Sequence, residues 1–258
     1  MSYEPALLHM ILTEHPVVER RIASAQVRAL GEAHVFQGTP AGEHLRYGVG
    51  RRLAVLRRSI SKIFEIFPPD SNTPLGTDSI SDVQINLHGF MINLSGIFDN
   101  LAWAFKYRHD LPIPQNSVGL FRRETIAFLP SQIRDDLGSD DLQLWQKDYL
   151  KVYRDSLAHR IPMYVPPAVF NDHEGRRWNE LEALERHAVA DGNFHQALNY
   201  SETKKTIGSP AFFFLHSDHE GAPSRAIALH PQILSDAVTV IEVCNNFFDH
   251  WHSVAEQR

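Results

Sequence analysis

The stretch Tyr153-Arg154-Asp155-Ser156-Leu157-Ala158-His159-Arg160-Ile161-Pro162 holds the residue types best suited to chemistry. An arginine guanidinium presents paired N–H groups that match the oxygens of a phosphate. An imidazole exchanges a proton near neutral pH and suits general acid or base work. Asp155 stands four residues before His159, so a helix here predicts that the two side chains meet and that the carboxylate orients the ring. Arg154 and His159 are roughly 140° apart on an ideal helix, so they are not expected to share a face. A second copy of the chain is then expected to bring both to one phosphate. Arg154 itself is expected on the outer face, beside Leu150.

The spacing alone carries nothing. With 19 Arg and 15 His in the chain, chance predicts roughly three such pairs. Arg28 with His34 and Arg225 with His230 have nearly the same interval, but each Arg is followed by Ala. Only Arg154 combines a polar follower, an amphipathic segment before it and a Pro stop just after His159. In that context the stretch resembles the signature of the HEPN superfamily (higher eukaryotes and prokaryotes nucleotide-binding domains). These are helical bundles with an Arg, usually a polar residue next, and a His four to six residues on, late in a helix. The match is Arg154, Asp155 and His159; Asp155 stands where active members commonly carry Asn.

The resemblance implies a site formed by Arg154, Asp155 and His159 that cleaves RNA with no metal or cofactor. The ribose 2′-hydroxyl would attack the adjacent phosphate, His would move the proton, and Arg would meet the charge on the phosphoryl oxygens. It also implies dimerisation at the motif, so RNA or a nucleotide and a second copy of the chain are the expected partners. The alternative it leaves open is a non-catalytic, dimeric module that binds RNA, a nucleotide or a partner.

Other constellations are thinner. Arg51, Arg58 and Lys62 share one face of a predicted helix and either meet phosphates or are simply solvated. His216, Asp218 and His219 could hold a metal at a hairpin tip, but no fourth ligand is identifiable. Asp135, Asp136, Asp140 and Asp141 bracket Gly138, and the second pair is expected to cap the next helix. The chain has neither a Gly-rich phosphate loop nor a nucleophile elbow.

The elements that must position these residues show as apolar stripes at spacings of three and four. They are Val49–Leu53–Leu56–Ile60–Ile63–Phe67, Val83–Leu87–Phe90–Leu94–Ile97–Leu101–Phe105, Leu142–Trp145–Tyr149–Val152 and Leu234–Ala237–Ile241–Cys244–Phe248–Trp251. A fifth helix, with Val18, Ile22, Ala25 and Ala29, is expected to open near Pro16. The fold class is therefore mainly α: a bundle of four to five long helices with a small β-hairpin insertion. The second helix carries a further stripe, Ile85, Ile92, Gly96 and Trp103, which places it centrally or at a subunit contact. One domain is expected over 1–258, with an insertion over 168–230. That insertion holds a polar helix near Arg176–His187 and strands Ala211–His216 and Arg225–Leu229, joined through Gly221-Ala222-Pro223.

Of the 258 residues 43% are hydrophobic, which is ample for a core, and the formal charge of −6 argues against a generic nucleic-acid coat. Cys244 is the single cysteine, so no internal disulfide forms. Met1–Leu12 lacks a basic n-region and a cleavage site, and Val83–Phe105 is broken by polar residues. A cytoplasmic location with no membrane partner is expected by elimination.

Overall fold

The computed structural model describes residues 3–216 and 225–255. In chain order it has α1 (Pro5–Val35), α2 (residues 40–66), α3 (Thr77–Arg108), α4 (Ser131–Leu137), α5 (residues 140–159), α6 (Asp172–Ala190), α7 (Phe194–Lys204), β1 (Phe213–His216), β2 (Arg225–Ala228) and α8 (Leu229–His250). Two of these helices carry a π turn, His44–Gly50 in α2 and Trp145–Leu150 in α5. α3 is the central element and packs against α2, α5 and α8, while α1 closes the bundle against α2 and α8. Every residue of the α2, α3 and α8 stripes is buried, so these three helices meet along the predicted seams. No helix among the described residues is long and apolar enough to cross a membrane.

The structure differs from the sequence reading at several boundaries. α1 does not open near Pro16; it begins at Pro5, and Pro16 lies inside it. Pro5 suits the first helical position, where its missing N–H is not needed. Pro16 forfeits one backbone bond and costs about 3 kcal/mol, but Ile11 is buried and Leu7 packs on the core, which offsets it. Asp140 and Asp141 do not cap α5; Ser139 is the cap residue and the two carboxylates occupy the first turn, where the positive end of the helix favours them.

A larger correction concerns α5. Val152 is only half-buried, and the buried positions after Tyr149 are Leu150, Tyr153 and Ser156. Leu150, expected on the outer face, is 2% exposed. A π turn inserts one residue and rotates everything after it by roughly 100°, so a wheel drawn at 3.6 residues per turn misplaces the second half of the helix. Leu150 therefore provides no outer apolar patch for a second copy. Nor is the further stripe on α3 a seam within the chain. Ile85 is 66% exposed, Trp103 is half-buried, and Gly96 is covered by the Arg52 guanidinium, whose Cζ would lie 2.4 Å from a Cβ at that position.

Between residues 168 and 230 the single polar helix becomes two, α6 and α7. A capping box formed by Asn171 and Glu174 opens α6, and Lys204 of α7 bridges Glu182 and Glu185 of α6. β1 and β2 form the expected antiparallel pair, in register from Phe213↔Ala228 to His216↔Arg225. Phe212 and Phe214 are both buried, as the alternation requires. Residues Gly221-Ala222-Pro223 lie outside the described residues.

Asp236 of α8 is wholly buried and ties α8 to α5. Its Oδ1 accepts from Trp145 Nε1 and Gln232 Nε2, both at 2.8 Å, and its Oδ2 accepts from the Tyr149 hydroxyl at 2.7 Å. Burial pushes the carboxyl up to about 6, and the three hydrogen bonds only partly offset this. A carboxyl whose pKa is higher folded than unfolded binds protons on folding, so its contribution is full below the unfolded value of 3.8 and is lost as pH rises through about 6. Asp236→Asn keeps the contacts, because its amide can donate to the Tyr149 oxygen while that hydroxyl turns to Met91 Sδ, now 3.8 Å away. Relative to this variant, wild type should gain on the order of 2–3 kcal/mol between pH 6 and 4. His230, buried and lowered to about 4, loses stability as pH falls through the same range but is common to both proteins. Urea unfolding of the pair at pH 4, 5, 6 and 7 checks this; parallel pH curves would refute it.

Candidate functional site

α3, α5 and the loop before α4 enclose a cleft of about 840 Å³. The loop is pinned by Phe121, edge-on to Phe98 of α3 at 5.3 Å between centroids. Phe98 in turn packs edge-on against Trp145 at 6.0 Å. Arg122 follows directly and folds over Gly119, whose bare Cα leaves room for it. On α5 the core side is taken by Tyr149, Tyr153 and Ser156, so Lys147, Lys151 and Arg154 form a row along the cleft. Arg154, one position after buried Tyr153, sits on the flank of the helix rather than opposite the core.

Arg154, Asp155 and His159 all line this one cleft. A second copy is thus not needed to bring Arg154 and His159 to a common space, contrary to the wheel argument. The pairing expected between Asp155 and His159 is absent: among the described residues no hydrogen bond or ion pair joins them. Asp155 Oδ1 instead accepts from Arg154 Nη1 at 2.9 Å, with both side chains partly exposed. His159 lies exposed in the last turn of α5. That helix stops because Arg160 is extended, at φ −136° and ψ −162°, and Pro162 follows.

The cleft is positive on an acidic chain. Among the described residues of its lining, Arg122, Lys147, Lys151 and Arg154 face two carboxylates, Asp99 and Asp155. Asp99 keeps an open surface, yet crowding by its neighbours raises its carboxyl above the usual range. The charges of Arg154, Arg52 and Arg122 oppose that rise. Trp103 provides an aromatic wall. Such a space can take a phosphodiester, with cations on its oxygens, a ring beside a base and an imidazole at the rim.

Sequence reasoning missed several of these residues. The interval of four then three linking Lys147, Lys151 and Arg154 was a readable signal for a cationic row. Asp99 is one of the polar residues that break the Val83–Phe105 stretch, with nothing in its spacing to mark it, and Arg122 comes from a loop that no periodicity places. Of the other candidates, Arg51 lies over the Tyr47 ring at 4.5 Å and Lys62 pairs with Glu65 at 2.7 Å. Arg58 is exposed. His216 is buried against Tyr153, at 5.1 Å between ring centroids. Asp218 and His219 lie outside the described residues, among which no group of three ligands could hold a metal ion.

Because Arg154 and His159 are solvent-facing, their loss should barely touch the fold. Arg154→Ala and His159→Ala should each shift unfolding free energy by no more than about 1 kcal/mol, the range of an exposed ion pair. Urea denaturation checks this, and a larger loss would mark either residue as structural. Comparison of the chain with protein-family models, curated proteins and solved structures finds no match.

Proposed function

We propose that the protein is a metal-independent endoribonuclease of HEPN type whose site is the cleft between α3 and α5. The observation that carries this reading is that Arg154 and His159 line one space together with three further cations, Arg122, Lys147 and Lys151. The row on α5 tracks the phosphates of a single strand, and Trp103 stacks on a base. Arg154 holds the non-bridging oxygens of the scissile phosphate, while His159 takes the proton of the attacking 2′-hydroxyl or returns one to the leaving oxygen. Asp155 acts as a positioning residue that holds the guanidinium through its 2.9 Å contact.

That same contact favours a second reading, a cleft that binds RNA or a nucleotide without cutting it. A guanidinium already paired to a carboxylate has less charge to offer a transition state than a free one.

One set of measurements separates the two. Single-stranded RNA should be cut in EDTA to leave 2′,3′-cyclic phosphate ends, and DNA of the same sequence should survive because it lacks the nucleophile. His159→Ala should slow cleavage by about a hundredfold or more while binding persists. Lys151→Ala should weaken binding on every sequence alike and reduce the salt slope by about 0.7. Binding without any cleavage selects the second reading; failure to bind either RNA or a nucleotide at low salt overturns both.

A further inference from the structure

The other wall of α3 faces a second concavity, of about 490 Å³, at the π turn of α2. We infer that this pocket binds a nucleoside monophosphate, with Arg52 on the phosphate and Tyr47 against the base. The site is separate from the Arg154 cleft and does not rest on the ribonuclease reading.

The central observation is how Arg52 is held. Its Nε donates to Asn100 Oδ1 at 2.9 Å and its Nη1 to Asn93 Oδ1 at 3.1 Å. Both amides are locked from their other ends, Asn93 Nδ2 donating to the Gly89 carbonyl at 2.7 Å and Asn100 Nδ2 to His44 Nδ1 at 3.2 Å. Each amide therefore has one consistent orientation, and His44 is left with its proton on Nε2. The glycines show that the network is built into the backbone. A Cβ at Gly96 would lie 2.4 Å from Arg52 Cζ, and one at Gly48 would lie 2.4 Å from Asn100 Cγ.

A guanidinium that merely ties two helices is best served by a carboxylate. Here both partners are neutral, so the guanidinium is oriented without being neutralised, and two of its five N–H groups are used. Among the described residues the others make no further protein hydrogen bond. Asp99 is near enough to feel Arg52 but is not bonded to it. Among the described residues Glu43, exposed on the turn before the π segment, is the one carboxylate in the lining, set against Arg51 and Arg52. A pre-oriented, partly buried cation in a polar pocket is the donor arrangement that a phosphate selects.

The aromatic half of the argument comes from the π turn. Tyr47 is 52% exposed in the lining, with the Arg51 guanidinium over its ring at 4.5 Å. Arg51 thus stiffens Tyr47 against the pocket and leaves ring surface for a base. Behind it His44 stacks on Trp103 and Tyr107, at 5.7 and 5.6 Å, which fixes the inner wall.

The test is titration of ¹⁵N-labelled protein with inorganic phosphate, adenosine monophosphate and adenosine, read at the backbone amides of residues 44–50. Phosphate and the nucleotide should shift these amides saturably, with the nucleotide binding more tightly. Arg52→Gln should weaken both by about tenfold or more, the scale of a charge-assisted contact. Asn93→Asp exchanges the Nδ2 donation to the Gly89 carbonyl for an ion pair with Arg52; once its cooperative unfolding shows that it folds, the neutralised guanidinium should weaken phosphate binding similarly. Tyr47→Ala should weaken the nucleotide alone, and Arg154→Gln should change nothing at these amides. The inference is overturned if the amides do not move, if Asn93→Asp or a folded Arg52→Gln binds as wild type does, or if Tyr47→Ala leaves nucleotide affinity intact. Shifts at residues 147–159 report separately on the cleft, so either site can fail alone.

Discussion

The carboxylate of Asp236 accepts three hydrogen bonds in a space sealed from water, and two of the donors, Trp145 and Tyr149, belong to the π turn of α5. Burying a carboxyl there is unfavourable, which is why its pKa rises. What the contact provides is position. It holds the widened turn against α8 and so sets the rotation of everything after it. With Tyr149 and Tyr153 on the core side, Lys147, Lys151 and Arg154 have one direction left, along the cleft. Removing the carboxylate would leave an indole and a phenol without acceptors, and the cost would fall on the helix that carries the site.

α3 is the shared wall of both concavities. Its core face is apolar along its whole length, and its far side presents Asn93, Asp99, Asn100 and Trp103. Trp103 lines the cleft while its ring stacks on His44 of the π-turn pocket, and Asp99 feels Arg154 from one side and Arg52 from the other. Each concavity lies beside a π turn. A π turn widens the helix and breaks its repeat, which leaves polar groups to be satisfied by side chains or ligands. The chain carries a net −6, yet cations gather on this face, so the local field differs in sign from the average.

The bundle was legible because burial follows simple periods. All seven stripe residues of α3 are buried, as are all six of α2 and all six of α8. The hairpin was legible for the same reason, from the two-residue alternation that buries Phe212 and Phe214. α5 was only half legible. The stripe held to Tyr149 and then moved by one residue, because no residue type announces a π turn. Pro16 misled in the other direction, since its local rule was overridden by the burial of Ile11.

The sequence alone determined the fold class, the seams of α2, α3 and α8, and the presence of an Arg, an Asp and a His near the end of a helix. These depend on composition and on repeats of two or three to four residues, which act over a few turns of chain. Only the tertiary structure decided that Arg154 and His159 share one cleft, that Asp155 turns to Arg154 rather than His159, and that Arg52 is held by two asparagines. Each of those facts depends on contacts between distant segments or on the rotation left by a π turn. A helical repeat fixes which way a side chain leaves its own helix, but what it meets depends on the packing of the others.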